Sequence, residues 1–210
     1  MNFIFSHKTP SSTIQIKLSL EITKAQALCS YENAEYFHSL CKTGCENYDK
    51  KWSCPPYCPT YSSYSAPYDY CLLTLFYCDL SQFDYIEKEY LKIRASNSIL
   101  KAQAEKFSRF LEEELSGKML STGSCRLYKP CSKKLDSDQC NHPLKLRYSL
   151  ESLGLDLSKV SEDYFGHALQ WYQNKTAPAY STTLSGVMTN KQLDSDFIKE
   201  LTNDFICTYL

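Results

Sequence analysis

Alternation of polar and apolar residues is clearest near the start of the chain, at residues 13–20. One face of this segment is entirely apolar, which predicts a half-buried β-strand. Its apolar positions are Ile14, Ile16, Leu18 and Leu20. Residues 70–77 are nearly all apolar or aromatic, which is typical of a strand covered on both faces. β-favouring residues at 179–188 predict a last strand, so the pattern indicates a small sheet.

Helical spacing dominates much of the remaining chain. Apolar residues recur at steps of three and four from residue 86 to residue 111. This spacing predicts one long amphipathic helix, or two helices broken at 96–98, ending near Gly117. Further short elements are predicted: helices at 23–31 (with Thr23 as N-cap), 34–40, 147–153 and 191–209, and a strand at 155–157. Strands separated by helices predict an α+β fold, α/β-like in part. We expect one domain over residues 1–210, with a small mixed sheet packed by helices.

Cysteine is the most unusual component of the composition, with 11 residues in 210. The number is odd and the chain is long enough to bury its own core, so a framework of disulfides is not expected. Seven cysteines lie in two short segments without apolar periodicity, 41–58 and 125–140. The other four lie in predicted strands or helices, where we expect small buried apolar residues. These four are Cys29, Cys71, Cys78 and Cys207.

The balance of charges excludes one class of partner. Lys and Arg number 23 against 24 Asp and Glu, for a net charge of −1, so there is no basic field for nucleic acid or an anionic membrane. No apolar run approaches the roughly 20 residues of a transmembrane helix, and residues 1–10 lack the features of a signal peptide. We therefore expect a cytoplasmic protein. In that reducing compartment, clustered thiols favour metal or redox chemistry over disulfides.

The first cysteine segment contains two Cys-x3-Cys pairs: Cys41 with Cys45, and Cys54 with Cys58. Thiolates at such spacings can converge on one metal centre. A proline follows Cys54 and Cys58 directly, as it follows the last cysteine of ferredoxin-type runs, and its fixed φ turns the chain away from such a centre. Residues 41–67 are predicted to be an ordered loop that a metal holds in place. Tyr48 and Trp52 either shield a cluster or serve as core aromatics.

The second cysteine segment carries Cys125, Cys131 and Cys140, followed by His142 and Pro143. The imidazole of His142 either ligates a metal or donates a hydrogen bond to a thiolate. Pro143 restricts the backbone of His142 to extended forms, which favours the supporting or a structural role over direct ligation.

Together the two segments resemble a family of bacterial and archaeal proteins described as predicted metal-binding, domain of unknown function 2284. That family is similar in the order of its motifs: Cys-x3-Cys, Trp-Ser-Cys-Pro-Pro, a helical middle, a cysteine-rich loop ending in Cys-x-His-Pro, and Arg-x-Ser-x-Glu-x-x-Gly-x-Asp. The matching residues here are Cys41, Cys45, Trp52, Ser53, Cys54, Pro55, Pro56, Cys125, Cys131, Cys140, His142, Pro143, Arg147, Ser149, Glu151, Gly154 and Asp156. The resemblance covers roughly residues 35–190 and implies metal binding without a settled reaction.

The chain departs from the family pattern at two positions. Tyr128 stands where the family's second loop usually has a middle cysteine, and Cys58 is an extra thiol in the first loop. One hypothesis is two sites, with four thiolates at 41–58 and three thiolates at 125–140, the second leaving one iron open. The competing hypothesis is a single site in which the two loops meet.

Charged and polar residues of the last motif have two interpretations each. Arg147 and Glu151 are four residues apart on the predicted 147–153 helix, which suits a surface ion pair. Alternatively, Arg147 balances the charge of a thiolate centre. Ser149 and Asp156 suit capping or turn roles as well as roles in the site.

The Cys-Pro endings and neighbouring aromatics favour an iron–sulfur cluster, [4Fe-4S], over zinc as the cofactor. No Ser/His/Asp, Walker or dinucleotide fingerprint indicates another chemistry, and six glycines leave little room for phosphate-cradling loops. We expect electron transfer to a redox or metabolic partner protein, or a cluster-dependent role in redox or sulfur handling. The alternatives are a zinc-stabilised binding module and an enzyme that uses the open iron of a three-cysteine cluster.

Overall fold

The computed structural model describes residues 1–135 and 137–209. Its central strand is β3 (Tyr70–Asp79), which pairs on one side with β2 (Thr13–Lys24) and on the other with β5 (Tyr180–Thr189). The edge strands are β1 (Asn2–Lys8) and β4 (Lys118–Leu120). The order is β1-β2-β3-β5-β4, and all four pairings are antiparallel.

Helices surround this sheet. The α-helices are α1 (Ala34–Gly44), α2 (Tyr61–Ser65), α3 (Glu89–Glu114), α4 (Leu157–Phe165) and α5 (Ser195–Tyr209). Short 3₁₀ helices lie at Ala25–Tyr31, Leu80–Phe83, Ser132–Leu135 and Pro143–Lys145. Among the described helices, none combines the length and the apolar character needed to span a membrane.

The sheet separates two hydrophobic cores, because β3 is buried on both faces. On one face α3 and α5 pack with Phe107 and Phe205 against Phe76. On the other face lie the Ala25–Tyr31 helix, α2, α4 and the turn at 149–155. Alternate residues of β3 supply the two cores, and the second core lies beneath the cysteine loops.

The sequence pattern predicts much of this architecture correctly. The α+β class is confirmed, as are the strands that became β2, β3 and β5, although the sheet is antiparallel where a mixed sheet was expected. The long helix is continuous through 96–98, and the helices near residues 34 and 193 are present as α1 and α5.

Other local predictions are wrong. Residues 147–153 do not form a helix: residues 150–154 are a turn. Leu155 makes one isolated bridge to Glu32 rather than a strand at 155–157. Thr23 belongs to β2 and caps nothing. The strands β1 and β4 and the helices α2 and α4 were not predicted.

The 149–155 turn connects several separate elements. Its Ser152 carbonyl accepts from the Cys58 thiol at 2.8 Å, and its Leu153 carbonyl accepts from the N–H of Tyr61, the first residue of α2, at 2.9 Å. The Gly154 carbonyl accepts at 2.8 Å from the N–H of Asn33, the residue that caps α1. Buried backbone polar groups require partners, so the turn fixes the ends of both helices that flank the first cysteine loop.

Gly154 is required in this turn. Its φ is +89°, which side-chain-bearing residues rarely adopt, and a Cβ there would lie 2.5 Å from the Cα of Ala34. We expect Gly154→Ala to lower the free energy of unfolding by about 2–3 kcal/mol. The measurement is denaturant unfolding of the metal-free protein.

The matched control is Gly44→Ala at the end of α1, where an added Cβ has no atom within 4 Å. Alanine favours a helix over glycine by up to about 1 kcal/mol, so the control should be unchanged or slightly more stable. Equal stability of the two variants would contradict the role assigned to Gly154.

Candidate metal centre

The first cysteine loop runs from the last turn of α1 to the start of α2. Cys41 lies within α1, and Cys45 follows its last residue as the C-cap, donating its N–H to the Cys41 carbonyl. The prediction of an irregular loop over 41–67 is therefore wrong for residues 41–44, which belong to α1, and for Tyr61–Ser65, which form α2. Cys54 and Cys58 are buried further along, whereas Cys45 is exposed.

Three of these thiols affect one another electrostatically. Burial raises the pKa of Cys41, and the neighbouring thiols of Cys45 and Cys54 and the Glu151 carboxylate raise it further. Burial also raises the pKa of Cys54, against the opposing effect of a hydrogen bond with the Ser53 hydroxyl. Once these thiols lose their protons, a bound cation would offset the repulsion between their negative charges.

Cys58 has a different environment from the other thiols of this loop. Burial raises its pKa to about 12, and its thiol donates to the Ser152 carbonyl. The His38 imidazole Nε2 lies 3.8 Å from the Cys58 sulfur and 2.8 Å from the same carbonyl oxygen. His38 was not singled out in the sequence. It precedes Cys41 by three residues on α1, and helix periodicity places residues three apart on one face.

The second loop brings its three thiols together. Cys125, Cys131 and Cys140 line one small cavity, together with Tyr128 and His142. Burial raises the pKa of Cys125, and the neighbouring thiols of Cys140 and Cys131 raise it further. The three thiols of the sequence-predicted set 125/131/140 therefore line a common cavity.

His142 supports this cavity from one side. Its backbone N–H donates to the Cys140 sulfur at 3.4 Å, and its ring lies against the Tyr128 ring with centroids 4.9 Å apart. Tyr128 thus occupies the surroundings of the three thiols, at the position where the family pattern has a cysteine. Its side chain is exposed.

The two loops are held against each other by residues 51–53. The Ser53 hydroxyl accepts from the Cys125 N–H at 2.8 Å. The Lys51 ammonium donates to the Ser124 hydroxyl at 2.8 Å and to the Cys125 carbonyl at 3.1 Å. Ser53 is fully buried, so loss of its hydroxyl leaves a backbone donor without a partner.

Trp52 is the aromatic part of the same contact. Its indole N–H donates to the Ser132 hydroxyl at 3.0 Å, and its ring packs on Tyr57 at 5.0 Å between centroids. The Lys133 ammonium lies 5.1 Å from the Trp52 ring and 4.3 Å from the Tyr57 ring, a cation–π arrangement. Neither Trp52 nor Tyr48 belongs to the two hydrophobic cores of the described residues.

Most residues of the last sequence motif have architectural roles. The expected ion pair of Arg147 with Glu151 is not formed: Arg147 instead pairs with Glu112 of α3 at 2.5 Å and donates to the Leu144 and Leu146 carbonyls. The reason is that residues 150–154 form a turn, so helical spacing does not apply there.

Two further residues of that motif stabilise the backbone. The Ser149 hydroxyl accepts from the Ser152 N–H at 3.3 Å within the turn. Asp156 caps α4, accepting the Lys159 N–H at 3.2 Å. Ser149 therefore has the turn role and Asp156 has the capping role, which were the structural alternatives for these two residues. Glu151 remains exposed and raises the pKa of Cys41.

The four cysteines expected to be structural do not behave alike. Cys71 and Cys78 are fully buried, one on each face of β3. Cys29 is half-buried and donates to the Gln26 side chain at 3.4 Å. Cys207 is exposed on α5, so the expectation of a buried apolar residue is wrong there, because its position on the helix faces away from the core.

The donor set suits metals that prefer thiolates. Seven thiols lie in two adjoining loops, and soft sulfur ligands select zinc and iron–sulfur clusters over hard cations. Within residues 1–135 and 137–209, no group of three or more His, Cys, Asp or Glu side chains is arranged to hold a metal ion. The chemistry of the donor set thus fits a thiolate-bound metal, with the sulfurs not drawn together around a single ion.

The fold and the two thiol groups are those of a cysteine-rich α+β protein. The family model for predicted metal-binding protein (DUF2284) matches residues 29–188, and the chain belongs to that family. No curated protein and no solved structure matches the chain significantly.

The raised thiol pKa values predict the direction of pH dependence. At neutral pH the metal-free protein keeps protons on Cys41, Cys54, Cys58 and Cys125, and metals bind thiolates. Each such ligand releases a proton on binding, so metal affinity should rise with pH. We expect at least about a tenfold gain for each pH unit between about 6.5 and 8.5, since one displaced proton gives a slope of one.

The measurement is competition titration of the reduced, metal-free protein with Zn²⁺ as the probe against a chromophoric chelator at each pH. The chelator alone, titrated at the same pH values, provides the correction for its own protons. An affinity that does not change with pH would contradict binding through these thiols.

Proposed function

We propose that this protein carries one or two iron–sulfur clusters, of the [4Fe-4S] type, held by the thiolates of the two loops. The proposed ligands are Cys41, Cys45, Cys54, Cys58, Cys125, Cys131 and Cys140. His142 supports the centre through its N–H bond to the Cys140 sulfur and is not itself a ligand. The observation that carries the proposal is the cavity that the three thiols of the second loop line together.

The contact between the loops supports a joint role for them. The Cys125 thiol lies close enough to the Cys54 thiol to raise the pKa of Cys54. The hydroxyl of Ser53, the residue before Cys54, accepts from the Cys125 N–H. Trp52 packs on Tyr57 and lines the same cavity as Ser53 and Cys125. Aromatic and buried surroundings exclude water from a cluster and tune its potential.

Tyr128 supports an open coordination position at the second loop. A phenol is a much weaker ligand than a thiol at neutral pH, since its reference pKa is about 10 against about 8.5. Three thiols with a tyrosine at the fourth place suit a cluster in which one iron accepts an outside ligand. A centre of this kind supplies one-electron chemistry, or a Lewis-acidic iron, when bound.

The surface around the second loop supports a protein partner. Large apolar side chains are exposed there, and Leu144 alone is 86% exposed. The others are Leu127, Tyr128 and Leu135. Exposed apolar groups close together are typical of interaction surfaces. We therefore propose electron transfer to, or sulfur handling for, a partner protein that docks at this loop.

The test is purification without oxygen, followed by the visible absorbance spectrum and by iron and sulfide analysis. We expect a coloured protein with thiolate-to-iron charge transfer that bleaches reversibly on reduction. Cys131→Ala should lower the iron content by at least about half, because it removes one of only three thiols in its cavity. Cys207→Ala, on the exposed face of α5, is the matched control and should retain full iron.

Cys58→Ala distinguishes the two arrangements of ligands. Loss of iron supports a four-thiolate site in the first loop. Unchanged iron excludes Cys58 as a ligand and assigns its thiol to the bond with Ser152. A colourless protein with stoichiometric zinc in all variants would overturn the iron–sulfur proposal and leave a zinc-stabilised binding module.

A further inference from the structure

A cavity of about 260 Å³ lies beside the metal centre, between α3 and the chain segments at 121–127 and 145–147. Its lining is rich in cationic side chains: Lys101, Arg109, Arg126, Lys145 and Arg147. The lining contains one carboxylate, that of Glu105. The whole chain has a net charge of −1, so this concentration of positive charge is local.

Only part of that charge is neutralised. Arg109 pairs with Glu105 at 3.4 Å, and Arg147 pairs with Glu112. Within residues 1–135 and 137–209, Lys101, Arg126 and Lys145 have no carboxylate within ion-pair distance. Like charges around a concave site attract a counter-ion strongly because the low-dielectric walls focus their field.

The wall of the cavity is fixed before any ligand binds. One carboxylate oxygen of Glu105 accepts from the Ser121 hydroxyl at 2.5 Å, the Thr122 N–H at 2.8 Å and the Thr122 hydroxyl at 3.1 Å. Gly123 follows with φ +146°, and a Cβ at that position would lie 3.7 Å from the Lys101 ammonium nitrogen. Lys101 lines the cavity beside this glycine.

Two other cavities adjoin this one. Cys125 lines both the basic cavity and the cavity of the three thiols. Lys101 and Thr122 line both the basic cavity and a larger cleft of about 610 Å³. The cleft is mostly apolar near α1 and β5, with Phe37, Leu40, Leu184 and Trp171 in its lining.

Acidic residues restrict what the cleft accepts. Glu151 and Asp156 line the cleft but not the basic cavity. A ligand with one anionic end and one apolar end can place the first in the basic cavity and the second in the cleft. A second anionic group, lying in the cleft, would be repelled by the carboxylates of Glu151 and Asp156.

We propose that the basic cavity binds the carboxylate or phosphate of a small organic anion whose apolar part lies in the adjoining cleft. The proposal goes beyond the iron–sulfur assignment and does not depend on which metal is bound. Because Cys125 is shared between the cavities, the anionic group lies beside the second thiol loop.

The test is calorimetric titration of the full-length protein with four probes: inorganic phosphate, acetate, hexanoate and adipate. We expect saturable binding, with hexanoate at least about tenfold tighter than acetate, since each buried methylene contributes about 0.8 kcal/mol. Adipate, with a second carboxylate at its far end, should bind more weakly than hexanoate. Acetate against phosphate identifies which anionic group the cavity prefers.

Variants test the two regions separately. Lys101→Gln should weaken every probe by about fivefold or more, because a charged hydrogen-bond donor is lost. Lys199→Gln, an exposed lysine of α5, is the matched control and should bind as the parent does. Trp171→Ala should weaken hexanoate but leave acetate and phosphate unchanged.

Several results would overturn the proposal. These are no saturable binding of any probe, equal effects of Lys101→Gln and Lys199→Gln, or hexanoate binding no tighter than acetate. Metal content measured on the same samples should not change in Lys101→Gln, so failure of anion binding is distinguishable from failure of the metal centre. Unchanged thermal unfolding of that variant shows that it has folded.

Discussion

The 149–155 turn is the constraint on which the site depends. The two cysteine loops are far apart in the chain: the first follows α1, and the second follows β4. Carbonyl oxygens of this turn accept from Asn33, Cys58 and Tyr61. The carbonyl of Tyr148, the residue just before the turn, accepts from the Ser121 N–H. One short segment therefore positions α1, α2 and the start of the second loop together. It does so only because glycine at 154 permits close approach of α1.

This arrangement explains the different uses of the two kinds of motif residue. The cysteines supply sulfur, whereas Arg147, Gly154 and Asp156 of the last motif fix the backbone near them. Arg147 is held by Glu112 of α3, so its charge is largely neutralised and does not act on the thiols directly. Charge near the thiols comes instead from Lys51, which lowers the pKa of Cys54 and Cys125 against the effect of burial. Because Lys51 also holds the two loops together, a change in the distance between the loops would change the positive charge near Cys54 and Cys125.

Periodicity predicted the elements whose burial is regular. The alternation at β2, the apolar run at β3 and the apolar stripe of α3 each follow from one simple packing geometry. The strand β4 has only three residues, too few for a pattern to be visible. The 147–153 segment has helical composition, but its polar backbone groups bind other elements, and tertiary contacts overrode the local preference. The grouping of Cys125, Cys131 and Cys140 was predictable from spacing, whereas the contact of His38 with Cys58 depends on the docking of α1.

Composition alone does not reveal the basic cavity. A net charge of −1 gives no indication of a local basic region, yet Lys101, Arg126 and Lys145 are gathered at one cavity by α3 and the segments around it. Their charges lie beside the thiol of Cys125, whose pKa is raised by burial. Thiolate-bound centres carry negative charge, which nearby cations stabilise. An anion in the basic cavity and a thiolate centre beside Cys125 would both be stabilised by these cations, whereas the metal itself would be held by its sulfur ligands.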